Sequence, residues 1–217
     1  MNKTEQKFKL VIFDMDGTLL NGRSIIVISE KKGFKNKLIK TLNSNIKFYE
    51  KSIEIAGFLK GFDSGELLEI FRSIPLQENV QKIAKKIKEK NIKTAIITDS
   101  YQFIVDDLKE RLNFDYAFGN NLIIKENIVT GEIILSNTSM EPSSNGKIYS
   151  ISKGRIFDQL CNRLDISPEE VISIGDGQVD IDMIKKAGIG IAYKAPEEVQ
   201  KYADIVTNDL SVILNYI

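Results

Sequence analysis

The chain has 217 residues, and its 30 basic and 30 acidic side chains leave no formal net charge; the length suits one α/β domain with a small accessory domain, and the balance gives no global field to draw in nucleic acid or an anionic membrane. It has no histidine, which excludes Ser-His-Asp and Cys-His catalysis, His-ligated zinc and histidine general bases, and leaves acid–base work to Asp, Glu, Lys, Tyr or Cys. A single cysteine, Cys161, excludes an intramolecular disulfide, no apolar run approaches the ~20 residues of a membrane span, and MNKTEQKFKL lacks the apolar segment of a signal peptide, so a cytoplasmic protein is expected.

Residues 8–13 (FKLVIF) form a short β-branched and aromatic run that predicts a buried strand, ending in the polar turn DMDGTLL. From residue 24 to about residue 72, apolar residues recur every three or four positions, with breaks near Gly33 and Gly61, and predict helices without strands. Pro75 interrupts this stretch. An amphipathic helix is expected over 77–90, with Val80, Ile83, Ala84 and Ile87 inward, followed by a second buried strand over 92–98 and a helix over 101–112. Tyr116–Phe118 reads as a short strand, 121–135 as a separate hairpin with turns near Glu126–Asn127 and Gly131, and 137–146 as a polar, mobile loop. Then come a helix over 153–164, with Cys161 on its apolar face, a third buried strand over 171–175, a helix over 178–187 and a strand over 188–193. A helix over 196–202 and a strand at 204–206 follow.

Outside 21–77 strands alternate with helices, which implies a parallel sheet covered on both faces. Ligands of such sheets bind beyond the carboxyl ends of the strands. Asp14, Asp16, Thr98 and Asp176 each follow a predicted strand, so they converge on one edge. Two carboxylates as near as Asp14 and Asp16 repel by roughly 4 kcal/mol at ~4 Å and an effective dielectric near 20. A cation, a shared proton or solvent separation relieves this repulsion, and phosphoester hydrolysis uses the first two. In that chemistry Asp14 is the nucleophile, and Asp16 is the acid for the leaving alcohol and then the base for water. The Thr98 hydroxyl is placed to donate to a phosphoryl oxygen, and Lys153, opening a helix, to offset charge developing on phosphorus. Asp176, between two glycines, is an oxygen ligand for a hard cation such as Mg²⁺. Asp180, one turn on, is placed to orient Lys153 or a metal-bound water.

VIFDMDGTLL, IITDS, Lys153 and VISIGDGQVDIDMIKKAGIGIAY resemble, in order, the four motifs of the haloacid dehalogenase superfamily. KERLNFDYAFGN and GIGIAYKAPEEVQKYADIV extend the resemblance to its phosphoserine phosphatase-like branch. The resemblance covers roughly residues 8–20 and 78–207. It implies a Rossmann-like core formed by 1–20 and 78–217, and a small helical cap over 21–77 inserted after the first strand. It further implies a Mg²⁺-dependent phosphatase that forms an aspartyl phosphate on Asp14. Asp14, Asp16 and Asp176 are its implied metal ligands, and Thr98, Asp99 and Lys153 bind the phosphate. The implied partner is a small phosphorylated metabolite, not nucleic acid or membrane, and the protein is expected to be a monomer or homodimer.

The motifs depart from the branch where the substrate is read. Arg23 stands near the position of a glutamate that faces a substrate amine, and the branch's cap arginine has no clear counterpart between Phe48 and Phe62. Val179 replaces an asparagine, and Thr98-Asp99-Ser100 replaces serine followed by glycines. An arginine suits a second anionic group on the substrate. The alternatives are a phosphoserine phosphatase proper, a related phosphotransferase and a receiver-like phospho-aspartate signalling module. The long helical insertion and the acid position at Asp16 argue against the receiver.

Overall fold

A computed structural model describes residues 7–217 of the chain. Strand β1 (Leu10–Phe13) is followed by four helices, α1 (Ser24–Lys32), α2 (Lys35–Leu42), α3 (Phe48–Phe58) and α4 (Ser64–Arg72). Next come α5 (Val80–Glu89), β2 (Lys93–Tyr101), α6 (Gln102–Leu112), β3 (Tyr116–Lys125) and β4 (Ile128–Ile134). The chain continues through α7 (Lys153–Leu164), β5 (Val171–Gly175), α8 (Ile181–Lys186), β6 (Ile189–Tyr193), α9 (Glu197–Gln200) and β7 (Ile205–Thr207).

The seven strands form one sheet in the order β4-β3-β2-β1-β5-β6-β7. Every neighbouring pair is parallel except β3 and β4. β1 lies at the centre, and its LVIF sequence is buried throughout. Side chains alternate across a strand, so a strand covered on both faces must be apolar at every position. Val11 and Phe13 join the core formed with Ile83, Ile87, Ile104 and Leu108 of α5 and α6. Leu10 and Ile12 join the opposite core with Ile156, Phe157 and Leu160 of α7. Cys161 is buried in this second core, and burial pushes its thiol up to about 11. No helix among the described residues is long and apolar enough to cross a membrane.

Residues 21–77 leave and rejoin the sheet side by side. Asn21 N donates to Pro75 O at 2.8 Å, and Gln77 N donates to Leu19 O at 2.9 Å. The buried Gln77 side chain fastens this junction: its Nε2 donates to Gly17 O (3.0 Å) and Leu20 O (3.3 Å). Its Oε1 accepts from Tyr193 Oη (3.1 Å) and Lys194 Nζ (2.9 Å).

Three elements differ from the sequence expectation. The helical stretch breaks between Leu42 and Phe48 as well as near Gly33 and Gly61, because Asn43-Ser44-Asn45 compete with the helix for backbone hydrogen bonds. β3 is one continuous strand from the sheet into the hairpin. Its turn falls at Glu126 and Asn127, both at positive φ (48° and 65°), as a two-residue hairpin turn requires. Gly131 lies inside β4, where an added Cβ would meet Lys60 Cβ at 3.0 Å. It marks a close approach to the inserted helices instead of a turn. There Gly61 N donates to Val129 O (2.8 Å), Val129 N to Phe62 O (2.9 Å) and Ser64 N to Asn127 O (2.7 Å).

Candidate active site

The carboxyl ends of β1, β2 and β5 open into a cavity of about 580 Å³. Asp14, Asp16, Asp99, Asp176 and Asp180 line it, together with Arg23, Ser100 and residues of the inserted helices. Asp14 follows β1 directly, and its N–H donates to Ile174 O at 2.9 Å. The first nucleophile candidate is thereby fixed to β5, the strand that leads to Asp176. Gly17 sits at φ +92°, and a Cβ there would fall 2.5 Å from Asp176 Oδ2. The turn after Asp14 therefore needs glycine twice over, for its backbone angle and for the room Asp176 occupies.

Lys153, at the first position of α7, is 2% exposed and reaches both Asp14 Oδ1 and, at 2.6 Å, Asp180 Oδ1. Burial works against its charge, but Asp14, Asp180 and Asp99 outweigh it and hold the ammonium above its ordinary pKa. Asp180 also closes its own loop: its Oδ2 accepts from Asp176 N (3.0 Å) and Gly177 N (2.8 Å). Burial pushes Asp180 up to about 6, and repulsion from Asp14 adds to this against the pull of Lys153.

Asp16 has a different environment. Its carboxyl accepts from Ser24 N (2.5 Å) and Ser24 Oγ (2.9 Å) at the start of α1. Burial first, then repulsion from Asp14 and Asp99, pushes it up to about 7 against these two hydrogen bonds. A carboxyl with that affinity for protons is suited to carry one.

Asp14, Asp176 and Asp180 offer oxygen atoms all within 4.8 Å of one another. Both oxygens of Asp180 are already engaged, so Asp14 and Asp176 are the members with capacity to spare. Burial, then repulsion from Asp14 and Asp180, pushes Asp176 up to about 8, and its closest cation is Arg23 Nη2 at 3.6 Å. Two under-compensated oxygen ligands in a half-buried cavity fit a hard divalent cation that keeps part of its own water shell. The Asp16 side chain is turned to Ser24 instead of this cluster.

At the β2 end, Thr98 is fully buried inside the strand, and its Oγ1 accepts from Ser100 N at 3.1 Å. Asp99 and Ser100, not Thr98, face the cavity. Arg23 is on the cavity wall as expected, its side chain 63% exposed. Sequence reasoning passed over Ser24 and Gln77. The only signal for Ser24 was its place as a small hydroxyl residue opening a helix. Nothing in the local sequence marked Gln77.

The family model of the haloacid dehalogenase-like hydrolases matches residues 8–188. The chain belongs to that family. This haloacid dehalogenase-like hydrolase is 34% identical over 201 residues to a phosphoserine phosphatase of Archaeoglobus fulgidus, a match covering 90% of the chain but 55% of that relative's length. It is 29% identical to a phosphoserine phosphatase of Methanocaldococcus jannaschii, with 98% of the chain and 99% of the relative covered. A solved structure described as a phospho-aspartyl intermediate analogue of phosphoserine phosphatase superposes with a TM-score of 0.81 at 28% identity. That match covers 97% of this chain and 99% of the other.

Proposed function

We propose that this hydrolase is a Mg²⁺-dependent phosphatase that removes the phosphate from a small phosphomonoester through an aspartyl phosphate on Asp14. The observation that carries the reading is the contrast between two neighbouring carboxylates. Asp14 is held by a buried lysine beside a second carboxylate with room for a cation. Asp16, two residues on, is held apart as a proton carrier. The likeness to a structure described as a phospho-aspartyl analogue supports it.

In the first half-reaction one Asp14 oxygen attacks phosphorus and the ester P–O bond breaks. Lys153 occupies Oδ1, so Oδ2 is the oxygen left to attack. Asp16 passes its proton to the departing alkoxide, which leaves as the alcohol. In the second half-reaction Asp16 takes a proton from water as its oxygen bonds to phosphorus. The acyl-phosphate bond breaks, inorganic phosphate leaves and the Asp14 carboxylate is restored. A Mg²⁺ would be held by the carboxylates of Asp14 and Asp176, with Asp16, whose carboxyl faces Ser24, as the further ligand that the family resemblance implies, and would supply charge neutralisation on the transferring phosphoryl group. Lys153 adds to that neutralisation and is itself oriented by Asp180. On the β2 side, Asp99, Ser100 and the adjoining backbone form the rest of the phosphate seat, and Thr98 lies behind them, its hydroxyl accepting from Ser100 N.

Residues 21–77 serve as the cap over a core formed by 1–20 and 78–217, excluding water from the acyl phosphate. Arg23, at the phosphate end of the cavity, binds a second anionic group on the substrate. The test is a screen of phosphorylated metabolites with the purified protein and Mg²⁺, repeated in excess EDTA. Release of phosphate from at least one ester, abolished by EDTA, is expected. Full activity in EDTA, or no hydrolysis even of 4-nitrophenyl phosphate, overturns the reading. Phosphoserine as the best substrate would remove the second-anion role from Arg23.

A further inference from the structure

The cavity has two unlike ends. At the strand ends it is walled by the carboxylates, Lys153 lying behind Asp14. At the other end the wall is made by Ile25, Leu42, Phe48 and Ile55 of the inserted helices, by Ile133 of β4 and by Tyr149. Phe48 and Tyr149 meet across this end with ring centroids 5.0 Å apart.

Polar groups at this wall and at the adjoining ends of β5 and β6 each carry a partner, and the ammonium groups of Lys51 and Lys147 lie over the Phe48 ring at 5.3 and 4.9 Å. Lys51 Nζ donates to Leu42 O at 2.6 Å, and Lys194 Nζ donates to Gln77 Oε1 at 2.9 Å. The Gln178 amide is held between Lys147 and Glu198. The Tyr149 hydroxyl accepts from Asn145 Nδ2 at 2.9 Å. An ammonium or carboxylate set against this wall of aliphatic and aromatic carbon would lose water without gaining an equal partner. The cavity also opens on apolar surface: Leu42 and Phe48 are 40% and 39% exposed, and Ile39, one turn before Leu42 on α2, is 41% exposed.

We propose that the alcohol esterified to the phosphate carries an apolar arm, an alkyl or aryl chain, which lies against this helical wall and leaves the cavity between Leu42 and Phe48. The inference rests on the phosphatase reading and gives its substrate a class. The arm is held by area and not by hydrogen bonds, so affinity grows with chain length until the arm reaches solvent.

The experiment has two parts. Hydrolysis of methyl, butyl and octyl phosphate, below their aggregation limits, is compared with that of phosphoserine and 4-nitrophenyl phosphate in the Mg²⁺-loaded protein. Binding of the matching alkylphosphonates, which cannot turn over, is measured by calorimetry. Affinity should rise by about four-fold per methylene between methyl and butyl, and kcat/KM for octyl phosphate should exceed that for phosphoserine at least ten-fold. In Phe48→Ala, and separately in Leu42→Ser, the octyl-to-methyl affinity ratio should fall about ten-fold; the second variant serves if the first folds poorly. Equal binding of methyl and octyl phosphonate, or a ratio unmoved in both variants, overturns the apolar arm. Hydrolysis of 4-nitrophenyl phosphate together with that result leaves the phosphatase reading standing. Length-dependent phosphonate binding without hydrolysis of any ester supports the arm and removes the phosphatase.

Discussion

The strand-end wall of the cavity and its helical wall follow opposite rules. At the strand ends several charged groups are fixed by polar partners: Lys153 by Asp14 and Asp180, Asp180 by two backbone amides, Asp16 by Ser24. The sheet topology puts these groups together, and each depends on neighbours distant in sequence. The helical wall is made mainly of apolar side chains that touch without directional bonds; the Phe48 ring lies under the ammonium groups of Lys51 and Lys147, whereas the Leu42 side chain can change without unpairing a charge. One wall is therefore built to do a single chemistry, and the other can be rewritten to take a different alcohol. The difference teaches where to look for function on each side: in hydrogen-bond partners on the first, in shape and area on the second.

Substitutions in the two walls should have correspondingly unlike effects. Asp14→Asn should abolish turnover and covalent phosphorylation, because the amide is not a nucleophile at neutral pH. Radiolabelled phosphate transfer and steady-state assays check this; more than trace activity, after deamidation is excluded by mass spectrometry, places the nucleophile elsewhere. Asp16→Asn should slow hydrolysis by roughly 10²–10⁴-fold for alkyl esters and much less for 4-nitrophenyl phosphate, whose leaving group needs little protonation. A plot of rate against leaving-group pKa measures it, and an equal loss along the series takes the acid role from Asp16.

Arg23→Ala tests the border between the walls. For the best substrate carrying a second anion, KM should rise by about 10–100-fold, roughly 1.5–3 kcal/mol for a charge-assisted hydrogen bond. The same change on a substrate with phosphate alone should be far smaller. Equal changes on both would make Arg23 a partner of Asp176 and nothing more.

The smallest effect is expected at Asp63, which caps α4 by accepting from Glu66 N at 3.0 Å. Asp63→Ala should lower stability by about 1 kcal/mol, read as a modest fall in denaturation midpoint. A loss of several kcal/mol would mean that the helical wall is as tightly interlocked as the strand ends.

Much of the strand-end wall was legible in the sequence, because buried strands announce themselves as β-branched runs and the motif residues follow them directly. Asp14, Asp16, Asp99, Asp176 and Asp180 all line the one cavity, and Lys153 reaches two of them. The misreadings came where a polar residue serves distant partners. Gly119-Asn120 looked like a break between a strand and a hairpin, yet β3 runs through it. Asn120 is buried there as a bracket, donating to Asp99 O (2.7 Å) and Ser150 Oγ (3.0 Å) and accepting from Ser136 N (2.9 Å). Gly119 is small because Gln102 N and Ser100 O lie 3.0 and 3.1 Å from where its Cβ would be. No local pattern distinguishes such a bracket from a turn. Gln77 escaped notice for the same reason, since all four of its partners lie elsewhere in the chain or in the opposite junction strand. The apolar wall was read correctly as helices, but which of their residues meet the cavity depends on packing that periodicity alone does not determine.

The pairing of β4 with the connection between α3 and α4 bears on how this molecule moves. A lid hung only from residues 20–22 and 75–77 would swing like a door on one hinge. Here the far edge is stitched to the hairpin by three backbone hydrogen bonds, at Gly61, Val129 and Ser64, and the hairpin is the outer half of the strand whose inner half pairs with β2. To lift the lid, either those stitches part or β3 bends with it and carries the strain to the neighbourhood of Asp99 and Ser100. On the proposed reading of residues 21–77 as a cap, opening at the mouth is geared to the Asp99 end of the cavity, and solvent exchange of those three amides should track the admission of substrate.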